Sequence, residues 1–207
     1  MKRLVLIAAC VAAAACSNAE APPPPPPAAA SAPAAAPGSS LGSVSGRVHA
    51  TGTAVVVLEA KTERTFAPQS ETPVMDQAGL TFGPELLIVR TGAPVEFRNS
   101  DDTLHNVRVS HEETRESAFN VAIPTGESYT HTFARDGFYR VGCDIHPAMA
   151  ASVFASASPF VTTAGSDGTF GFADVPAGAW TVTVYADGKK LRKDLSVGGG
   201  VTDITVE

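Results

Sequence analysis

The sequence predicts an all-β chain, and three observations carry that expectation. From Ser43 onward it is rich in valine, threonine and phenylalanine, side chains that fit a pleated, half-buried surface. Glycine, proline or Asp-Gly pairs recur about every 8 to 12 residues, the spacing of short strands joined by turns. No stretch repeats its apolar residues at helical intervals. Taken in order, the expected strands are Ser45–Ala50, Ala54–Ala60, Leu80–Phe82, Glu85–Arg90, Pro94–Asn99, His105–Ser110, Ser128–Phe133, Gly137–Cys143 and Ala151–Ala155. A second cluster follows at Val161–Thr163, Gly168–Ala173, Gly178–Ala186, Lys190–Val197 and Asp203–Val206. Such a run of short strands suits sandwiches with Greek-key connections.

Ahead of the strands lie two segments that cannot belong to a packed core. Lys2 and Arg3 precede an apolar run from Leu4 to Ala15, which reads as a secretion signal. The run is shorter than the roughly 20 residues needed to cross a bilayer. Ala13-Ala14-Ala15-Cys16 resembles a bacterial lipobox, in which the cysteine carries the lipid; Cys10 fits the pattern too but leaves a short apolar region. Residues 17–42 are mostly alanine, proline and serine, with six consecutive prolines from Pro22 to Pro27, and read as an extended tether. The formal charge of −6 becomes about −8 once Lys2 and Arg3 leave with the signal, which argues against nucleic acid as a partner.

Removal of Cys10 and acylation of Cys16 leave Cys143 as the one free thiol, so no internal disulfide is expected. Cys143 heads Cys-Asp-Ile-His-Pro-Ala-Met149, and His105 lies 38 positions upstream in Thr-Leu-His-Asn-Val. One thiolate, two imidazoles and a thioether form a donor set for copper, because soft sulfur ligands and imidazoles together serve both of its oxidation states. Zinc accepts Cys143, His105 and His146 but has no use for Met149. Strand alternation puts Tyr139, Val141 and Cys143 on one face, and His105, Val107 and Val109 on another, so both ligands point inward from strand ends. Pro147 helps to set the tight loop that His146 and Met149 require.

Those residues, with Pro84-Glu-Leu, Gly92-x-Pro-Val-x-Phe-x-Asn99, His105-Asn-Val and Gly137-x-Tyr-x-Val-x-Cys143, make residues 74–153 resemble a cupredoxin of the plastocyanin and amicyanin group. The resemblance implies one mononuclear type 1 copper site. It makes His105, Cys143 and His146 the strong ligands, Met149 the weak axial one, and Asn106 a side chain that ties the His105 strand to the cysteine loop. His131 reads as structural or superficial, His111 as part of a solvated loop, and His49 lies on an early strand outside the copper segment.

Gly165-Ser-Asp-Gly-Thr-Phe and Val175-Pro-Ala-Gly-Ala-Trp180 resemble a carboxypeptidase regulatory-like β-sandwich, with Trp180 expected in its core. The opening strands of that sandwich family are matched far upstream, by Gly46-Arg-Val and Ala54-Val-Val-Val-Leu. The expected division is therefore a signal at 1–16, a tether at 17–42, first sandwich strands at 43–60, the cupredoxin at 72–156 and the rest of the sandwich at 160–207. Either the cupredoxin is inserted into the sandwich, or 43–60 belong to the edge of the copper domain. In this second module no nucleophile stands beside a base, and a catalytic copper protein would need a further copper site with additional histidines, so no enzymatic activity is expected. The functional expectation is a monomeric periplasmic electron carrier, anchored in the membrane by lipid on Cys16, that meets a redox partner protein such as a cytochrome or dehydrogenase. Copper binding and delivery is the alternative.

Overall fold

The computed structural model describes residues 40–206; the expected signal, Cys16 and all of the tether before Ser40 lie outside the described residues. In chain order the strands are β1 (Leu41–Val48), β2 (Val55–Ala60), β3 (Val74–Ala78), β4 (Thr81–Gly83), β5 (Leu86–Arg90), β6 (Pro94–Asn99), β7 (His105–His111) and β8 (Ser117–Ile123). They continue as β9 (Ser128–Thr132), β10 (Gly137–Gly142), β11 (Ala150–Ser156), β12 (Val161–Thr163), β13 (Thr169–Pro176), β14 (Gly178–Ala186), β15 (Lys189–Val197) and β16 (Val201–Val206). Among the described residues there is no helix, and the chain is all-β.

The strands form two sandwiches. In the first, a four-stranded sheet of order β4-β3-β6-β9 faces a five-stranded sheet of order β5-β11-β10-β7-β8. Their inner faces share one core, which includes Met75, Val95, Phe97, Val107, Val109, Phe133, Tyr139, Val141 and Val153. The second sandwich pairs a three-stranded sheet, β13-β1-β16, with a four-stranded one, β12-β2-β14-β15. Its core is built on Trp180, whose ring is wholly buried and whose Nε1–H donates to the Pro176 carbonyl at 2.9 Å.

Strands from the two ends of the chain interleave in this second sandwich. β1 runs antiparallel to β13 and parallel to β16, while β2 runs antiparallel to both β14 and β12. The first sandwich therefore leaves the second after β2 and returns to it at β12. β1 starts at Leu41, opposite Pro176, two residues before the strand segment expected from Ser43.

The run Val55-Val-Val-Leu58 is buried on both faces. Val56 and Leu58 enter the core of the second sandwich, whereas Val55 and Val57 pack on Phe154 with Leu86, Ile88, Phe138, Val161 and Tyr185. Phe138, Phe154 and Tyr185 meet edge to face, with ring centroids 4.8 to 5.7 Å apart. This apolar seam joins the outer face of the five-stranded sheet of the first sandwich to the outer face of the sheet containing β2 and β14. Continuous apolar strands arise where both faces of a sheet are covered, which is why this segment does not alternate.

Candidate metal centre

The site sits where β7 begins and β10 ends. His105 is the first residue of β7 and is wholly buried, while Cys143 follows the last residue of β10 and is 3% exposed. His146 is half-buried on the loop between β10 and β11. The loop is closed by the Met149 N–H, which donates to the His146 carbonyl at 2.9 Å, and by the His146 N–H, which points at Cys143 Sγ at 3.4 Å.

Three donor atoms converge. Cys143 Sγ lies 3.9 Å from His105 Nδ1 and 3.9 Å from His146 Nδ1, and the two nitrogens are 2.9 Å apart. The centre of a triangle with those sides is about 2.1 Å from each corner, the length of a first-row metal bond to nitrogen or sulfur. His105 Nε2 is 2.8 Å from Asp101 Oδ2; a carboxylate there accepts, so Nε2 holds the hydrogen and Nδ1 offers its lone pair to the centre. The residues thus fit a metal ion in position, number and donor chemistry. Met149 is 2% exposed and belongs to the same apolar cluster as Cys143, so a thioether donor is carried in the surrounding core.

Two carboxylates and two amides hold these ligands. Asp101 accepts from the backbone N–H groups of Gly79 and of Leu80, the latter at 3.0 Å, as well as from His105. The Leu80 N–H is the largest influence holding its carboxyl below the ordinary carboxylate range; burial opposes it, and the hydrogen bonds from His105 and Gly79 add to the lowering. Gly79 and Leu80 both have positive φ, +61° and +59°, and this tight hairpin between β3 and β4 turns its two amides toward Asp101. Asn106 Oδ1 accepts from the N–H of Asp144 at 2.6 Å and of Ile145 at 3.3 Å, and lies 3.3 Å from Cys143 Sγ. Its Nδ2 donates to Asn120 Oδ1 and Asp144 Oδ2. Asp144 in turn accepts from Arg108 Nε at 2.6 Å and Asn120 Nδ2 at 3.0 Å, and these contacts, Arg108 first, hold its carboxyl below the usual range.

The structure therefore brings His105, Cys143 and His146 to one point, sets Met149 in the adjoining core and places Asn106 between strand and loop. Asp101, Asp144, Arg108 and Asn120 were not singled out from sequence. The i, i+4 spacing of Asp101 and His105 was visible, but it has meaning only on a turn such as the one Asn99 builds. There the Asn99 side chain, wholly buried, donates to the Thr103 and Ile123 carbonyls and accepts from the Asp101 N–H. His111 corrects the expectation of a solvated loop: it ends β7, is 6% exposed, and stands perpendicular to Tyr139 at 4.8 Å while accepting from the Thr114 N–H. His131 packs between Phe119 and Phe133, and His49 is exposed beyond β1.

The family model for copper binding proteins of the plastocyanin/azurin family matches residues 69–155. No curated protein sequence is matched. Among solved structures, a purple cupredoxin from Nitrosopumilus maritimus is 22% identical over 41% of this chain and 99% of its own, with a TM-score of 0.36. A reduced amicyanin variant is 24% identical over 47% of this chain and 97% of its own, with a TM-score of 0.38. A copper-containing nitrite reductase from Thermus scotoductus SA-01 is 26% identical over 47% of this chain but only 25% of its own, again with a TM-score of 0.38. The family match spans the strands that carry the converging thiol and imidazoles and every strand of both sheets of the first sandwich, short only of Ser156 at the end of β11. Over residues 69–155, the stretch that carries the converging thiol and two imidazoles, the chain is similar to the copper binding proteins of the plastocyanin/azurin family.

Proposed function

We propose that the chain is a periplasmic one-electron carrier, lipid-anchored through Cys16, that binds one copper ion in a type 1 site through His105, Cys143, His146 and, more weakly, Met149. The observation that carries this reading is the triangle of Sγ and two Nδ1 atoms, already set at bonding distance from a common centre. A site fixed by strands and by hydrogen-bonded supports need not rearrange when the charge at its centre changes. Bound copper supplies a reversible one-electron exchange. The chain orients the donors, excludes water from His105 and Cys143, and leaves His146 as the half-exposed ligand.

A docking surface for a redox partner is supported by where the exposed apolar side chains fall. Among the described residues five large apolar side chains are exposed, and three of them, Leu80, Leu104 and Ile145, adjoin the site: Leu80 through Asp101, Leu104 beside His105, and Ile145 beside His146. Small apolar patches of this kind suit brief encounters. The enclosing second sandwich we read as a carboxypeptidase regulatory-like module with a structural rather than catalytic role. Copper delivery uses the same ligands but requires the metal to be reached by an acceptor's thiols, and His105, Cys143 and Met149 are 0%, 3% and 2% exposed.

Oxidised copper added to the purified protein is expected to give an intense visible absorption that Cys143→Ser abolishes and Met149→Leu retains at a higher potential. A colourless copper-loaded protein rejects the type 1 assignment. A coloured protein that yields its copper rapidly to a competing thiol peptide, yet shows no reversible one-electron wave, establishes delivery instead.

A further inference from the structure

We propose that the ion pair between Arg108 and Asp144 sets the charge preference of the metal site, by cancelling a carboxylate that lies one residue from the sulfur ligand. The inference rests on the metal-binding reading above. Asp144 cannot swing away from Cys143: its N–H is held by Asn106 Oδ1 at 2.6 Å, and its Oδ2 accepts from Asn120 at 3.0 Å and Asn106 at 3.2 Å. Its Oδ1 accepts from Arg108 Nε at 2.6 Å. A fixed negative charge at this point favours a divalent ion over a monovalent one, and the guanidinium opposes that bias.

The position of Arg108 is specified by its neighbours. Across the sheet it stands between Asn120 on β8 and Gly142 on β10, so no second carboxylate competes for it in that row. A Cβ at Gly142 would lie 3.3 Å from Arg108 Nη2, so the absent side chain gives the guanidinium room to lie over β10 toward Asp144. Both partners are about half exposed, at 50% and 47% of their side-chain surface. A pair so exposed adds little to stability, and its field at the neighbouring sulfur is the effect that remains.

The test is a charge cycle of Arg108→Gln, Asp144→Asn and the double variant, with Arg108→Lys as the conservative control. One readout needs no redox chemistry: the affinity for cobalt(II) relative to silver(I), measured by titration of the metal-free proteins. The ratio is expected to rise roughly three- to tenfold in Arg108→Gln, to fall by a similar factor in Asp144→Asn, and to return near the parent value in the double variant and in Arg108→Lys. With copper, a tenfold change in divalent over monovalent preference corresponds to about 59 mV, so the potential falls in Arg108→Gln and rises in Asp144→Asn. Single variants that leave the ratio unchanged, or move it in the same direction, overturn the proposal. A parent protein that binds cobalt and silver but shows no reversible copper wave overturns the electron-carrier reading and leaves the charge cycle intact.

Discussion

His105 is fixed at both edges of its ring, by Asp101 on Nε2 and by the metal-facing geometry on Nδ1. Replacing Asp101 with alanine removes the acceptor that sets the tautomer and frees the Gly79-Leu80 amides. Copper affinity is expected to fall by about 10- to 100-fold, measured by competition with a chelator of known affinity; an unchanged affinity shows that the ring is held by its burial alone. The three groups that converge, His105, Cys143 and His146, could be picked out from sequence because their donor chemistry is local: a thiol and an imidazole at a fixed spacing, with a second imidazole at a strand start. Asp101 was not, because its role depends on a loop shaped by Asn99 contacts to carbonyls 4 and 24 positions away. Asp144 was hidden for a similar reason: the residue that neutralises it lies 36 positions off, on β7.

At the scale of elements, alternation located most strands and failed where burial does not alternate in the ordinary way. β3 places Met75 and Gln77 inward, both with no exposed surface, so a polar glutamine takes a core position and the segment does not read as a strand. β8 is an edge strand, mostly half-exposed or exposed along its length, whose mixed composition reads as loop. β14 was legible: Trp180, Val182 and Val184 alternate inward over nine residues, and Asp187-Gly188, both at positive φ, close the hairpin to β15. Trp180→Ala is expected to cost about 3–5 kcal/mol, read from denaturant unfolding. Visible absorption of the copper-loaded protein under native conditions should persist, since the Trp180 core and the core holding Cys143 share no residue; loss of colour without unfolding would show that the two cores act as one.

At the scale of the whole molecule, five aspartates among the described residues, Asp101, Asp144, Asp167, Asp187 and Asp194, have carboxyls held below their ordinary values by hydrogen bonds. Each binds a proton less readily folded than unfolded, so its contribution to stability is complete above about pH 4 and is lost as pH falls through the lowered folded values. His131 is also lowered, by burial among aromatic rings, so its contribution begins to fade below about pH 6.5. Melting temperature of the metal-free protein should therefore decline gently below neutrality and steeply below about pH 4. Asp187→Asn, which tolerates the same turn but lacks the charge that Thr51 stabilises, should lower the melting temperature at neutral pH and flatten part of the acid limb. An acid limb as steep as the parent's would assign the sensitivity to the other carboxylates. Interleaving of the chain has a mechanical consequence as well. A pull applied ahead of Leu41 loads β1 lengthwise between β13 and β16, so their ladders of hydrogen bonds resist it together in shear rather than opening one by one. The copper domain, spliced between β2 and β12, lies off that line of force, and drag on the leading end of the chain is spent in the outer sandwich before it can disturb the spacing of three donor atoms.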